Sequence, residues 1–300
     1  MNERTGVLIA IVSSSVGGSA AAITRFLVGQ SADPVTLAIL RWGIGFLVVL
    51  PVALALSVRW PPRRDWPAVM ALGVAFFGAF FILYNIALGY TTAARASLAL
   101  STLPLQTMLA GALLGVEKLT VRKSAGVAIA MVGVFAALAA GVRAAPPGAW
   151  RGELIMTGAV LCMAVYNVSS RPFIQRSSAL GFLSVGMGSG ALALIVAGGF
   201  TGAPGVLRGF TASDWIAGAW LGVGGGALAF ILWVLALQRA SPTRVANTMT
   251  VNPIAAASLA ALLVGEPVTP SLVAGLAAVF IGIWISTTAT RLLPGSTRRA

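Results

Sequence analysis

The stretch from Trp66 to Gly126 is written twice in this chain. Moved along by 149 positions without a gap, Trp66 falls on Trp215, Leu72-Gly73 on Leu221-Gly222, Ala87-Leu88 on Ala236-Leu237, Arg95 on Arg244, Pro104 on Pro253, Glu117 on Glu266 and Gly126 on Gly275. A repeat at fixed spacing constrains a fold more tightly than local propensity does. Each copy holds two long apolar runs, a proline inside the second, and a short polar turn marked by an acid, "LLGVEKLTV" in one and "LLVGEPVTP" in the other. The start of the chain recurs too, at a spacing of 146: Gly6 falls on Gly152, Leu8-Ile9 on Leu154-Ile155 and Arg25 on Arg171. Two copies of one helical unit are expected, 1–145 and 146–300.

The medium for such a unit follows from its polarity. With 58% hydrophobic and 9% charged residues in 300 and a mean hydropathy of +0.94, a soluble globule would lack the polar surface to cover itself. The apolar runs reach the roughly 20 residues needed to cross a bilayer. Read in order they lie at about 6–26, 34–57, 67–90, 94–115, 121–140, 152–172, 180–200, 215–237, 242–264 and 270–290. The expected fold is therefore an all-α membrane protein of ten transmembrane helices. Five helices per copy make the second copy cross in the opposite sense, giving two inverted five-helix repeats around a central cavity, an arrangement found in transporters.

Charge orients it. With the N terminus inside, the cytoplasmic face collects Arg4, Arg59, Arg63, Arg64, Lys118, Arg122, Lys123, Arg171, Arg176, Arg239, Arg244, Arg291, Arg298 and Arg299, against Arg25, Arg95, Arg143, Arg151 and Arg208 outside. That bias places both termini in the cytoplasm. The net charge of +13 is spread singly over the ends of apolar runs and offers nucleic acid no patch. Zero histidines, the single cysteine Cys162 and no carboxylate cluster leave no means to assemble a zinc site or a histidine-based triad. Neither enzyme chemistry, nor a metal, nor a cofactor is expected. The expected partners are a small-molecule substrate and the lipid bilayer, with a single chain sufficing and a dimer left open.

Candidate site residues cluster around the prolines. Pro104 and Pro253 interrupt the backbone hydrogen bonding of their helices, and such a break is tolerated in a membrane only where protein or a water-filled cavity receives it. Ser101 and Gln106 flank the first, Asn247 and Asn252 the second. Tyr84 ends an aromatic stripe with Phe77, Phe80 and Phe81, and Trp233 falls on Tyr84 under the 149-residue shift. Tyr166 and Asn167 form the polar middle of the 152–172 run. Substrate contact is expected from these eight: Tyr84, Ser101, Gln106, Tyr166, Asn167, Trp233, Asn247 and Asn252. Arg41, about two turns into its run and followed by Trp42, reads as an arginine reaching back to the headgroups, with a charge at the cavity mouth as the alternative. No acid lies at mid-depth, so a neutral or zwitterionic solute with an apolar part, moving as a uniport or down a gradient, fits the lining. A channel-like pore would call for rings of like groups that the sequence does not offer.

The paired pattern, above all "NPIAAASLAALLVGEPVTPSLVAGLAAVFIGIWI" from Asn252 to Ile285 and its fainter copy from Leu103 to Phe135, resembles the EamA repeat of the drug/metabolite transporter superfamily. The resemblance covers nearly the whole chain. It implies a ten-helix exporter of metabolites in a bacterial inner membrane. Within the family the chain is similar to the YddG-type exporters of aromatic and other neutral amino acids, the alternative being a proton-coupled antiporter of drugs, nucleosides or other metabolites. The first copy departs from the pattern, with Leu103-Pro104 in place of the Asn-Pro of the second, which makes Asn252 the better-supported site residue.

Overall fold

The computed structural model describes residues 3–29, 33–116 and 145–265 continuously, with isolated positions between 119 and 133 and between 270 and 281. The runs expected at 121–140 and 270–290 lie almost wholly outside the described residues, as do Glu117, Lys118, Gly126, Glu266 and Gly275 of the repeat. Among the described residues every regular element is a helix and no strand occurs. Seven helices are long and apolar enough to cross a membrane: α1 (Glu3–Gly29), α2 (Pro34–Ala55), α3 (Arg63–Tyr90), α4 (Ala93–Leu113), α5 (Ala149–Arg176), α6 (Ala179–Thr201) and α7 (Ala212–Arg239). An eighth, α8, follows a broken path over 242–264.

The helix starts are set by side-chain caps. Asp33 accepts from the backbone N–H of Val35 at 2.9 Å and of Thr36 at 3.1 Å, with Pro34 in the first turn, so α2 begins where the Asp-Pro pair predicts. Thr92 caps α4, Ser178 caps α6, and Thr211 with Asp214 forms a capping box on α7. The end of α5 lies beyond Pro172, the expected stop. The Arg59 guanidinium donates to the carbonyls of Gln175 and Ser177, at 3.2 and 2.8 Å, and Arg176 pairs with Asp65 at 2.8 Å, so the last turn has partners that the proline alone would not supply.

Packing follows the repeat. α1 lies against the 229–239 part of α7 and the 252–264 part of α8; α5 makes the corresponding contacts with the 81–90 part of α3 and the 103–113 part of α4. α2 and α6 pack on each other. Small residues permit the approach: a Cβ on Gly73 would run into the Gly186 carbonyl oxygen, and one on Gly18 would stand 2.5 Å from that of Asn252. Polarity is inverted relative to a soluble protein. Leu47, Phe200 and Leu262 are 68%, 88% and 83% exposed, whereas Arg41, Asn167 and Asn252 are buried. An apolar exterior around a partly polar interior is the distribution a bilayer imposes.

Both halves depart from the regular α-helix at matching places. A π-helical turn covers Val74–Phe80 in α3 and Val223–Leu228 in α7, starting 149 residues apart. α4 breaks at Ser101-Thr102 and resumes at Leu103; α8 passes through a 3-10 stretch, Thr248–Val251, and resumes at Asn252. Pro104 and Pro253 therefore sit in the first turn of a new helical segment, where a missing N–H costs nothing, and the break lies just ahead of each.

Candidate functional site

The π-turns and the breaks converge on one cavity. Its wall is built from pairs related by the repeat: Phe80 and Ala229, Phe81 and Phe230, Tyr84 and Trp233, Leu100 and Met249. Gly17 of α1 and Met163 of α5 are a further pair, 146 residues apart. Leu100 and Met249 are the residues whose carbonyls the two prolines prevent from accepting a regular helical hydrogen bond. The remaining lining has no counterpart: Ser13 and Ser14 of α1, Arg41 of α2, and Asn252 of α8. The cavity measures about 40 Å³. That admits a few water molecules, each needing roughly 10–15 Å³, and falls well below the roughly 300 Å³ of small-molecule pockets. At that size, a solute as large as an amino acid enters only after the surrounding helices separate.

Aromatic packing makes the wall rigid. Trp42 stands behind it in edge contact with Phe81 at 4.4 Å and Phe230 at 5.0 Å between ring centroids, and Phe76 stacks on Tyr166 at 4.5 Å. Such pairs contribute about 0.5–1.5 kcal/mol each beyond area burial. The polar groups are tied across helices: Ser13 donates to the Ala229 carbonyl at 2.7 Å, the Ser14 and Thr248 hydroxyls lie 3.0 Å apart, and the Asn252 amide donates to the Ser14 carbonyl at 3.4 Å.

Arg41 corrects the sequence reading. It does not reach back to the headgroups; it is 4% exposed and lines the cavity. Its Nε and Nη2 donate to the Gly225 carbonyl at 3.2 and 2.8 Å, and its guanidinium lies 4.6 Å from the Phe81 ring centre. The π-turn explains the acceptor: the Ala229 N–H goes to the carbonyls of Gly224 and Gly226, passing over Gly225. Glycine is required for the approach, since a Cβ on Gly226 would stand 2.5 Å from the Arg41 carbonyl oxygen. The sequence held a signal for this site, a lone arginine inside an apolar run and a Gly-Gly-Gly in another helix, but nothing local that joined them.

Of the eight expected site residues, Tyr84, Trp233 and Asn252 line the cavity. Tyr166 and Asn167 stand one layer behind. Tyr166 belongs to the aromatic packing, and Asn167 accepts from the Trp233 indole N–H at 3.0 Å, fixing that ring. Ser101 turns its hydroxyl to the Ser97 carbonyl of its own helix, at 3.1 Å. Gln106 donates to the Thr157 carbonyl at 2.7 Å and fastens α4 to α5. Asn247 is buried at the end of the first segment of α8. Among the described residues no acid faces the cavity: Asp65 and Glu153 pair with Arg176 and Arg95, and Asp33 and Asp214 cap helices. No group of three or more potential metal ligands occurs among the described residues.

Comparison with known proteins agrees with this architecture. The profile described as "EamA-like transporter family" matches residues 4–139 and again 150–288. A protein of Streptantibioticus cattleyicolor named "Probable terminal-alkyne amino-acid exporter" is 27% identical over 248 residues, 80% of each chain. An "Uncharacterized transporter" of Archaeoglobus fulgidus is 24% identical over 258 residues, covering 84% of this chain and 88% of that one. A solved structure titled "Crystal structure of protein" shares the fold, with a TM-score of 0.71, 23% identity, and coverage of 97% of this chain and 99% of its own.

Proposed function

Because the chain belongs to the EamA-like transporter family, we propose that it exports neutral amino acids, aromatic ones foremost, through the cavity between its two halves. The observation that carries this reading is the lining: repeat-related aromatic and apolar walls, with a few polar groups and no acid among the described residues. Flat apolar side chains suit Tyr84, Phe81, Phe230 and Trp233, while Asn252 and the serines of α1 suit a polar end. The S. cattleyicolor protein named a probable terminal-alkyne amino-acid exporter, at 27% identity, supports an amino-acid substrate. With no titratable acid among the described lining residues, transport proceeds as a uniport down the solute gradient. The halves, 1–145 and 146–300, cross in opposite senses, and both termini face the cytoplasm of a bacterial inner membrane.

Efflux from sealed proteoliposomes tests this. Preloaded tryptophan, phenylalanine, alanine and threonine are expected to leave saturably without an imposed proton gradient. A strict requirement for a proton gradient, or no saturable flux of any of the four, overturns the reading. Orientation is checked with single cysteines in a Cys162→Ser background: Pro147→Cys is labelled by an impermeant thiol reagent in intact cells and Arg63→Cys is not, and the reverse pattern inverts the topology.

A further inference from the structure

Two buried polar atoms of opposite kind, on residues that line the cavity, are left without a partner among the described residues. Arg41 spends Nε and Nη2 on Gly225, and its Nη1 has no hydrogen-bond partner among the described residues. Asn252 turns its amide N–H to the Ser14 carbonyl, which can only accept, and its Oδ1 has no partner among the described residues either. Both residues line the cavity and both are more than nine-tenths buried. A buried guanidinium with no acid beside it among the described residues is expensive, and inside a membrane such a group marks a substrate path together with the partner that neutralises it. Rings beside Arg41 soften the cost without cancelling it.

From this pair of orphaned atoms we infer that Arg41 anchors the carboxylate of the transported solute and that the Asn252 carbonyl oxygen receives its ammonium. The inference rests on the reading of this cavity as an amino-acid site, and it narrows the substrate class to solutes that carry a carboxylate beside an apolar or aromatic body. The Arg41 fork matches a carboxylate in shape and charge. Entry of the carboxylate neutralises the one charge among the described lining residues, so a zwitterion leaves the cavity with its donors and acceptors met, whereas an amine lacking the carboxylate adds a second positive charge beside Arg41. The apolar helix α6, which packs on α2, contains no charged residue that could relieve Arg41.

The test is counterflow in proteoliposomes with three solutes that share a phenyl body: phenylalanine, 3-phenylpropionate, which lacks the ammonium, and phenethylamine, which lacks the carboxylate. Wild-type protein is expected to carry phenylalanine best, 3-phenylpropionate more slowly, and phenethylamine at least tenfold worse, a difference of about 1.4 kcal/mol. Arg41→Met should collapse the ratio of phenylalanine to phenethylamine by tenfold or more, and Arg41→Lys should keep part of it. Asn252→Leu should remove the preference for phenylalanine over 3-phenylpropionate. Ratios within one variant do not depend on its yield, and the wild-type ranking and Arg41→Lys decide the matter where Arg41→Met does not fold. Phenethylamine carried as well as phenylalanine by the wild type, or a ratio unmoved by Arg41→Met, overturns the anchor while amino-acid export stands. Saturable flux of 3-phenylpropionate without phenylalanine upholds the anchor and overturns amino-acid export. No carboxylate solute carried overturns both.

Discussion

The two halves of the molecule build the same wall and furnish it differently. Phe81, Tyr84 and Leu100 of the first half face Phe230, Trp233 and Met249 of the second, so the apolar frame is nearly symmetric. The polar groups are not: Arg41 has no charged counterpart in α6, and Ser14 corresponds to Val160, Asn252 to Leu103. A duplicated unit needs matching frames to pack and to separate as two bodies. A site that holds one unsymmetrical solute needs a cation on one side and an acceptor on another. On the proposed function, symmetry in this chain serves packing and asymmetry serves recognition.

The strongest way to break that comparison is to disturb the frame at repeat-related glycines. Gly73→Ala would drive a methyl group into the backbone of Gly186, and Gly222→Ala would drive one into the Ile44 side chain. Both are expected to lower the unfolding temperature in detergent. Gly73→Ala should do so more, because a backbone yields less than a side chain, with overpacking costs of about 1–3 kcal/mol or above. Equal losses would mean that the two helix contacts are equally rigid.

A smaller effect is expected from the paired rings. Trp233→Ala should weaken transport of tryptophan and phenylalanine roughly tenfold relative to alanine and threonine, a loss of about 1.4 kcal/mol. Tyr84→Ala should change that ratio less, since the indole is the larger ring and is fixed by Asn167 at 3.0 Å. Yield-normalised efflux gives both ratios, and a ratio unchanged in Trp233→Ala assigns the ring to packing alone.

The smallest effect should come from making one asymmetric position alike. Ser14→Val copies the residue of the second half and removes the contact with the Thr248 hydroxyl at 3.0 Å. The expected cost is about 0.5–1.5 kcal/mol of stability, since Thr248 keeps its bond to the Val245 carbonyl at 2.7 Å. A thermal melt of the purified variant measures it, and a loss of several kcal/mol would assign Ser14 a larger share of the frame.

Much of the frame was legible in the sequence because it is governed by local rules. Asp33-Pro34 supplies a cap and a first-turn proline, and in the described part of the chain the apolar runs match the helices to within a few residues. The repeat carried Tyr84 onto Trp233 and Pro104 onto Pro253, and so indicated which segments would meet. What stayed hidden depends on partners distant in the chain. Gln106 is a polar residue beside a proline in the sequence, yet it serves the Thr157 carbonyl. Asn167 is a polar residue in mid-helix, yet it holds Trp233. Arg41 sits two turns from a helix start and would reach the headgroups in isolation; the carbonyl of Gly225, 184 residues away, and the Phe81 and Tyr84 rings hold it inward.

The central claim, that solute occupies the cavity between the halves, is tested most directly by substrate protection. In a Cys162→Ser background, Leu100→Cys and Met249→Cys place thiols at repeat-related points of the lining. Their modification by a small thiol reagent should slow together as phenylalanine is added, with half-protection at the concentration that half-saturates efflux. Unchanged modification rates at both positions, in protein that still exports phenylalanine, would contradict the account and move the path elsewhere.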